Sequence, residues 1–203
     1  MIKNLVDDLV MVSNPLWDKS GLIQFEKKIA DGSVADCFHK IPVKAGDTMF
    51  LPSGRVHAIG DGLVIFEIQQ NSDTTYRVFD WNRLGLDGKP REMHVAQSLA
   101  SIDFNDFEPK LVPQNFREAN GFKFRLLVED PLFTVQEMRF ENAGGFTFAG
   151  QVLRVLAVVN GAINLTDSSS QISVSLKSGQ FALLPASLKN VKLQAEVAST
   201  ILC

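Results

Sequence analysis

Hydrophobic and polar residues alternate with two different periods along this chain of 203 residues. Over residues 22–30 the apolar positions recur at roughly helical spacing, and Asp31 and Gly32 follow as residues that can end a helix. A helical or irregular segment is therefore predicted for residues 1–31. From Lys40 onward, short β-branched and aromatic runs are separated by Gly, Pro and Asp about every eight to twelve residues, which predicts the strands of a sandwich or barrel.

The strand pattern falls into two blocks. Residues 94–102 have the pattern of a short helix, and residues 105–121 are predicted to form a linker. Strands resume at Phe122 and continue to the end of the sequence. We therefore predict one β domain over residues 1–104 and a second over residues 122–203. The strands predicted for the first block are residues 41–43, 48–51, 56–60, 63–69 and 75–79.

A weak internal repeat connects the two blocks. Residues 46–52 read Gly-Asp-Thr-Met-Phe-Leu-Pro, and residues 179–185 read Gly-Gln-Phe-Ala-Leu-Leu-Pro. Repetition of a β unit within one chain predicts a tandem barrel. His57 lies five residues after the proline of the first copy, whereas Asn190 occupies that place in the second copy. We therefore expect the second barrel to be poor in metal ligands.

Composition and charge exclude several classes of function. The net charge of −3 offers no basic surface for nucleic acid. No apolar run approaches the roughly 20 residues of a membrane span, and the first residues lack the basic and apolar regions of a secretion signal. The two cysteines, Cys37 and Cys203, form no CxxC pair. We therefore expect a cytoplasmic protein that binds neither nucleic acid nor a membrane.

The first copy of the repeat continues into a more specific pattern. Gly46, Pro52, Gly54 and His57 hold the fixed places of the second cupin motif, Gly-x5-Pro-x-Gly-x2-His. The glycines permit tight turns and the proline fixes one corner. His57 can then point into a barrel, where an imidazole can bind a metal ion. The alternative is a histidine that packs on a core strand. The pattern favours the metal ligand and predicts a mainly β, double-cupin fold with an N-terminal helical segment.

The residues that follow His57 narrow the family. Residues 56–60, 67–81 and 88–94 closely resemble type I mannose-6-phosphate isomerases of the short bacterial kind, and a looser resemblance extends to Cys203. The resemblance implies a zinc-dependent aldose–ketose isomerase that interconverts mannose 6-phosphate and fructose 6-phosphate. In that family one zinc ion is held by a Gln, a His, a Glu and a second His, and His57 matches the second His.

The same resemblance assigns three further candidate residues. Arg77 matches the essential arginine of the family, and Glu67 and Asp73 match acidic positions of the same pocket. An arginine can stabilise the oxyanion of an enediolate-like intermediate, and a carboxylate or a histidine can move the proton. The alternatives are that Arg77 only pairs with one of the two acids, that Glu67 is a surface acid, and that Asp73 is a turn residue. His94, at the start of the predicted helix, is expected to be structural.

The resemblance also implies ligands that the sequence does not contain. In the family, a segment that precedes the one beginning near Leu22 supplies a Gln-x-His pair and the Glu, and no Gln-x-His occurs in this chain. The first barrel is therefore expected to be incomplete. Three explanations remain open: a fragment of an isomerase, one half of a split enzyme whose partner chain supplies the missing strands, or a degenerate cupin that binds a sugar or a partner without catalysis. A phosphorylated hexose is the expected ligand.

Overall fold

The computed structural model describes residues 8–12, 19–60, 62–81, 83–106, 109–119 and 121–203, with the backbone alone described for residues 8–12 and 19–22. The chain divides into two compact units, Met1–Leu111 and Val112–Cys203. The boundary between the two units falls inside the segment that the sequence predicts as a linker. The helical or irregular structure predicted for residues 1–7 and 13–18 lies outside the described residues.

The first unit combines a small sheet with two helices. Its strands pair antiparallel in the order β2-β1-β3. The prediction of helical or irregular structure was wrong for residues 8–12, because these β-branched and apolar residues have strand partners on both sides. The elements in chain order are β1 (Asp8–Val12), α1 (Lys19–Asp31), a 3-10 helix (Ser33–Cys37), β2 (Phe38–Pro42), β3 (His57–Ile59) and α2 (Val95–Ser101).

The predicted helices are confirmed, and their apolar faces form the core of the first unit. Gly32 follows α1 with φ of 80°, a left-handed conformation that glycine adopts without strain and that ends the helix. Phe25 of α1 is 1% exposed and packs with Val34 and Val78, and its ring meets Phe104 edge-on at 6.4 Å. Neither α1 nor α2, nor any other helix of the described residues, is long and apolar enough to cross a membrane.

The prediction was wrong for three strands of the first block, at residues 48–51, 63–69 and 75–79. The structure describes these segments without a strand ladder. A strand is stabilised by hydrogen bonds to its neighbours, and an apolar pattern alone does not supply them. Among the described residues of this unit, only β1, β2 and β3 form a sheet, and Leu84 and Pro90 form an isolated antiparallel bridge. Val64 and Ile68 consequently remain exposed to solvent.

The second unit is built from two antiparallel sheets. One sheet has the order β11-β8-β13-β6-β5-β4, and the other has the order β10-β9-β12-β7. Leu156 and Ile201 of the first sheet and Leu193 of the second are completely buried together. The strands are β4 (Arg117–Ala119), β5 (Phe122–Glu129), β6 (Thr134–Phe140), β7 (Gly144–Ala149), β8 (Arg154–Asn160), β9 (Ala162–Asp167), β10 (Ser173–Lys177), β11 (Phe181–Leu184), β12 (Asn190–Ala195) and β13 (Ser199–Leu202). The predicted mainly β fold is confirmed.

Candidate active site

His57 is the first residue of β3, where it stands opposite Met11 of β1. Its side chain is exposed, and Nδ1 lies 3.2 Å from the backbone carbonyl of Arg55. The preceding turn contains Gly54 with φ of 88°, and a Cβ at this position would lie 3.0 Å from the carbonyl oxygen of Ser101. Glycine is therefore required by both the backbone conformation and the close approach of the C-terminal end of α2. The motif holds His57 at a defined corner of the first unit.

A second interaction fixes this corner, and sequence reasoning missed it. Arg55 donates two hydrogen bonds to the carboxylate of Asp106, at 2.5 Å from Nε and 2.6 Å from Nη2. Its Nη1 donates to the carbonyl of Phe50 at 2.6 Å. Bidentate guanidinium–carboxylate pairs fix orientation as well as distance. The two residues are 51 positions apart in the sequence, so no local sequence pattern predicts the pair.

The backbone of Arg77 forms two hydrogen bonds with His94, one through its N–H and one through its carbonyl oxygen. The backbone N–H of Arg77 donates to Nδ1 of His94 at 3.2 Å, and the backbone N–H of His94 donates to the carbonyl of Arg77 at 2.9 Å. Because Nδ1 accepts a hydrogen bond, the neutral ring carries its proton on Nε2. The guanidinium of Arg77 donates from Nη1 to the carbonyl of Glu92 at 2.9 Å. His94 therefore positions the backbone that carries Arg77.

Asp80 lies three residues after Arg77 and is paired with Arg91. Nε of Arg91 donates to the Asp80 carboxylate at 2.5 Å, and Asp80 is 9% exposed. The hydrogen bond from Arg91 lowers the pKa of the Asp80 carboxyl below its usual value, against the opposing effect of burial. The charges of Arg77 and Arg83 act in the same direction as Arg91. Residues 73–94 carry four basic and four acidic side chains, so the segment as a whole has no net charge. The guanidinium of Arg77 can still bind an anionic ligand.

The predicted site residues are not joined into one network. Glu67 and Asp73 are exposed. Within the described ranges, no hydrogen bond or ion pair connects either acid with Arg77 or with His57. The alternative that Arg77 only pairs with Glu67 or Asp73 is therefore not supported by any contact among the described residues. The catalytic roles of Glu67, Asp73 and Arg77 and the metal-ligand role of His57 stay predictions.

The donor set around His57 does not fit a zinc ion by itself. In the described part of the chain, no group of three or more His, Cys, Asp or Glu residues is arranged to hold a metal. Catalytic zinc normally has three protein ligands and a water molecule. A single exposed imidazole is one ligand, so the described residues do not form a complete zinc site.

The fold and the motif corner together define a cupin. A crystal structure of mannose 6-phosphate isomerase from Bacillus subtilis superimposes with a TM-score of 0.81, at 23% identity, over 99% of this chain and 61% of that chain. This likeness supports the predicted double-cupin architecture. No protein-family model matches the chain.

Sequence comparison finds mannose-6-phosphate isomerases as relatives of this chain. The chain is 32% identical over 174 residues to the mannose-6-phosphate isomerase of Streptococcus mutans, which covers 86% of this chain and 54% of that protein. It is 31% identical over 166 residues to the isomerase ManA of Bacillus subtilis, over 82% of this chain and 51% of that protein. The chain is a homologue of the mannose-6-phosphate isomerases, as the resemblance predicted. It spans about half the length of the curated relatives that it matches.

Proposed function

We propose that this chain carries part of the active site of a mannose-6-phosphate isomerase. The observation that carries the proposal is the placement of Arg77, whose backbone is fixed by two hydrogen bonds with His94 and whose guanidinium donates to the carbonyl of Glu92. A guanidinium held at a fixed place suits a phosphorylated hexose, the substrate that the names of the relatives imply. The cytoplasm, where cysteines stay reduced, is the proposed location, in keeping with free Cys37 and Cys203.

Arg77 stabilises negative charge in the proposed reaction. A base removes the proton from C2 of the aldose and the proton returns to C1, while the carbonyl moves from C1 to C2. The intermediate carries an oxyanion, and a guanidinium remains protonated at any physiological pH. Arg77 therefore offers a permanent positive charge where the negative charge develops. Glu67 and Asp73 are the candidate bases, since each carries a carboxylate in the same segment.

His57 supplies one ligand to the proposed zinc site. A bound zinc ion would act as a Lewis acid or orient the sugar oxygens. The remaining ligands come, in this proposal, from polypeptide outside these 203 residues, either in a longer form of the chain or in a separate partner chain. The incomplete donor set around His57 and the half-length match to the relatives support a shared site.

Reconstitution tests the proposal. The purified chain is mixed with zinc and with the portion of the Streptococcus mutans isomerase that this chain does not span, and the conversion of mannose 6-phosphate to fructose 6-phosphate is followed. We expect zinc-dependent turnover that neither polypeptide shows alone. The Arg77→Ala variant should lower kcat on the order of a hundredfold or more, with zinc content unchanged, and His57→Ala should lower zinc content. The matched control is Lys89→Ala, which removes an exposed cation of the same segment and should leave turnover intact.

A second candidate is a cupin that binds a hexose phosphate without converting it. Equilibrium binding and turnover are therefore measured on the same sample. Binding of mannose 6-phosphate that depends on Arg77, with no turnover in the reconstituted and zinc-loaded mixture, would overturn the isomerase proposal and establish the binding module.

A further inference from the structure

The second unit has an open cavity beside its aliphatic core. Leu156 and Val158 of β8 are completely buried in the aliphatic core. Beyond them lies a cavity of about 350 Å³ between β5 and β6 of one sheet and β7 of the other. This volume falls at the lower end of the range for small-molecule sites, and such sites are often found at the mouths of β-barrels.

Aromatic rings form the wall of this cavity. Phe122 and Phe124 of β5 and Phe146 and Phe148 of β7 line it, and each is only partly buried. The rings of Phe122 and Phe146 stack at 4.9 Å, and those of Phe146 and Phe148 meet edge-on at 4.6 Å. Packing within this cluster leaves apolar aromatic surface on the cavity side, which favours the ring of an aromatic ligand.

A single charged side chain stands at the cavity. Arg154 occupies the same face of β8 as Leu156 and Val158, so it sits at an inward-facing position of a barrel strand. Its guanidinium carbon lies 5.2 Å from the centre of the Phe148 ring, and Nη1 donates a long hydrogen bond of 3.4 Å to the carbonyl of Val152. Among the described residues Arg154 forms no ion pair, and no Asp or Glu lines the cavity. A partly buried guanidinium that forms no ion pair favours an anionic ligand.

We propose that this cavity binds a small aromatic carboxylate, with its ring against the phenylalanine wall and its carboxylate on Arg154. A guanidinium can bind a carboxylate through two parallel hydrogen bonds. Gln136 of the six-stranded sheet also lines the cavity. A hexose phosphate suits the site less well, because its several hydroxyls find few polar partners on a wall of phenylalanines. The site lies wholly in the second unit and does not depend on the proposed isomerase activity.

Binding of 3-phenylpropionate to the intact chain, measured by calorimetry, tests the proposal. The neutral analogue 3-phenylpropan-1-ol should bind about tenfold more weakly, because it lacks the charge that pairs with Arg154. The Arg154→Gln variant should weaken 3-phenylpropionate binding by about the same factor. The matched control is Lys192→Gln, which removes an equal charge from the exposed face of β12 and should change nothing.

Alkylation of Cys203 provides a readout that needs no variant. Cys203 lines the cavity and is partly buried, whereas Cys37 is buried in the first unit. Saturating 3-phenylpropionate should slow iodoacetamide labelling of Cys203 by about fivefold while Cys37 labelling stays constant. The proposal is overturned if the acid does not bind, if it binds Arg154→Gln and the original chain equally, if mannose 6-phosphate binds this cavity more tightly, or if Cys203 is not protected.

Discussion

The two copies of the internal repeat have the same turn but different strands. In the first copy the N–H of Asp47 donates to the carbonyl of Lys44 at 3.0 Å, and in the second the N–H of Gln180 donates to the carbonyl of Lys177 at 2.9 Å. In each copy the fourth side chain of the turn accepts a bond from the backbone N–H of the lysine. Local sequence therefore determines the turn in both units.

The segments that follow these turns diverge. Residues 181–184 form β11 and pair with β8, whereas residues 48–51 have no ladder. Both segments are apolar and follow the same turn, so the difference lies in what each segment has beside it. The second unit places β8 beside its segment, whereas the first unit leaves Val64, a residue of a predicted strand, fully exposed. Strand formation in this chain therefore depends on neighbours that are distant in sequence.

The largest expected difference between the two units is in the free energy of unfolding that is lost when an apolar side chain is shortened. Leu193→Ala removes a completely buried side chain from the core of the second unit and should lower the free energy of unfolding by about 3–4 kcal/mol. Val64→Ala shortens a fully exposed side chain in the first unit and should change the free energy of unfolding by less than about 0.5 kcal/mol. Urea unfolding followed by circular dichroism measures both. A cost of several kcal/mol for Val64→Ala would show that residue 64 is buried in solution.

These differences explain how far the sequence predicts the structure. Apolar spacing and Gly32 were enough for α1, because a helix makes its hydrogen bonds within itself. The turns at Gly46 and Gly179 were predictable for the same reason. The lack of strands at residues 48–51, 63–69 and 75–79 was not predictable, because a strand ladder depends on a partner that the local sequence does not reveal. The family resemblance pointed to His57 and Arg77, but the contacts that position them, from Asp106 through Arg55 and from His94, cross long stretches of sequence.

The next largest difference concerns buried charge. In the second unit Glu137 is 4% exposed and bonds both Arg125 and Arg139. Glu137→Gln leaves two guanidinium groups without their carboxylate and should cost about 3 kcal/mol of unfolding free energy. In the first unit Asp106 is more exposed, so Asp106→Asn should cost about 1–2 kcal/mol. Equal costs in parallel urea titrations would contradict the distinction between the two pairs.

Replacing the turn glycine should lower the free energy of unfolding by a similar amount in the two units. Gly46 has φ of 91° and Gly179 has φ of 82°, so alanine would be strained at both positions. Gly46→Ala and Gly179→Ala should each lower the free energy of unfolding by about 1 kcal/mol. Differential scanning fluorimetry of the two variants checks this. If only Gly179→Ala shifted Tm, the first turn would not be formed in solution as it is in the structure.

The smallest expected effect is a pH dependence that belongs to the first unit. The pKa of Asp80 is lowered in the folded chain by the hydrogen bond from Arg91. Its unfolded value is about 3.9, so the ion pair contributes its full stability above about pH 4. That stability is lost as the pH falls through the lower folded pKa, because the unfolded chain takes up the proton more readily. The free energy of unfolding should therefore fall less between pH 7 and pH 3 in Asp80→Asn than in the original chain. Parallel curves for the two proteins would mean that Asp80 does not respond to Arg91 in solution.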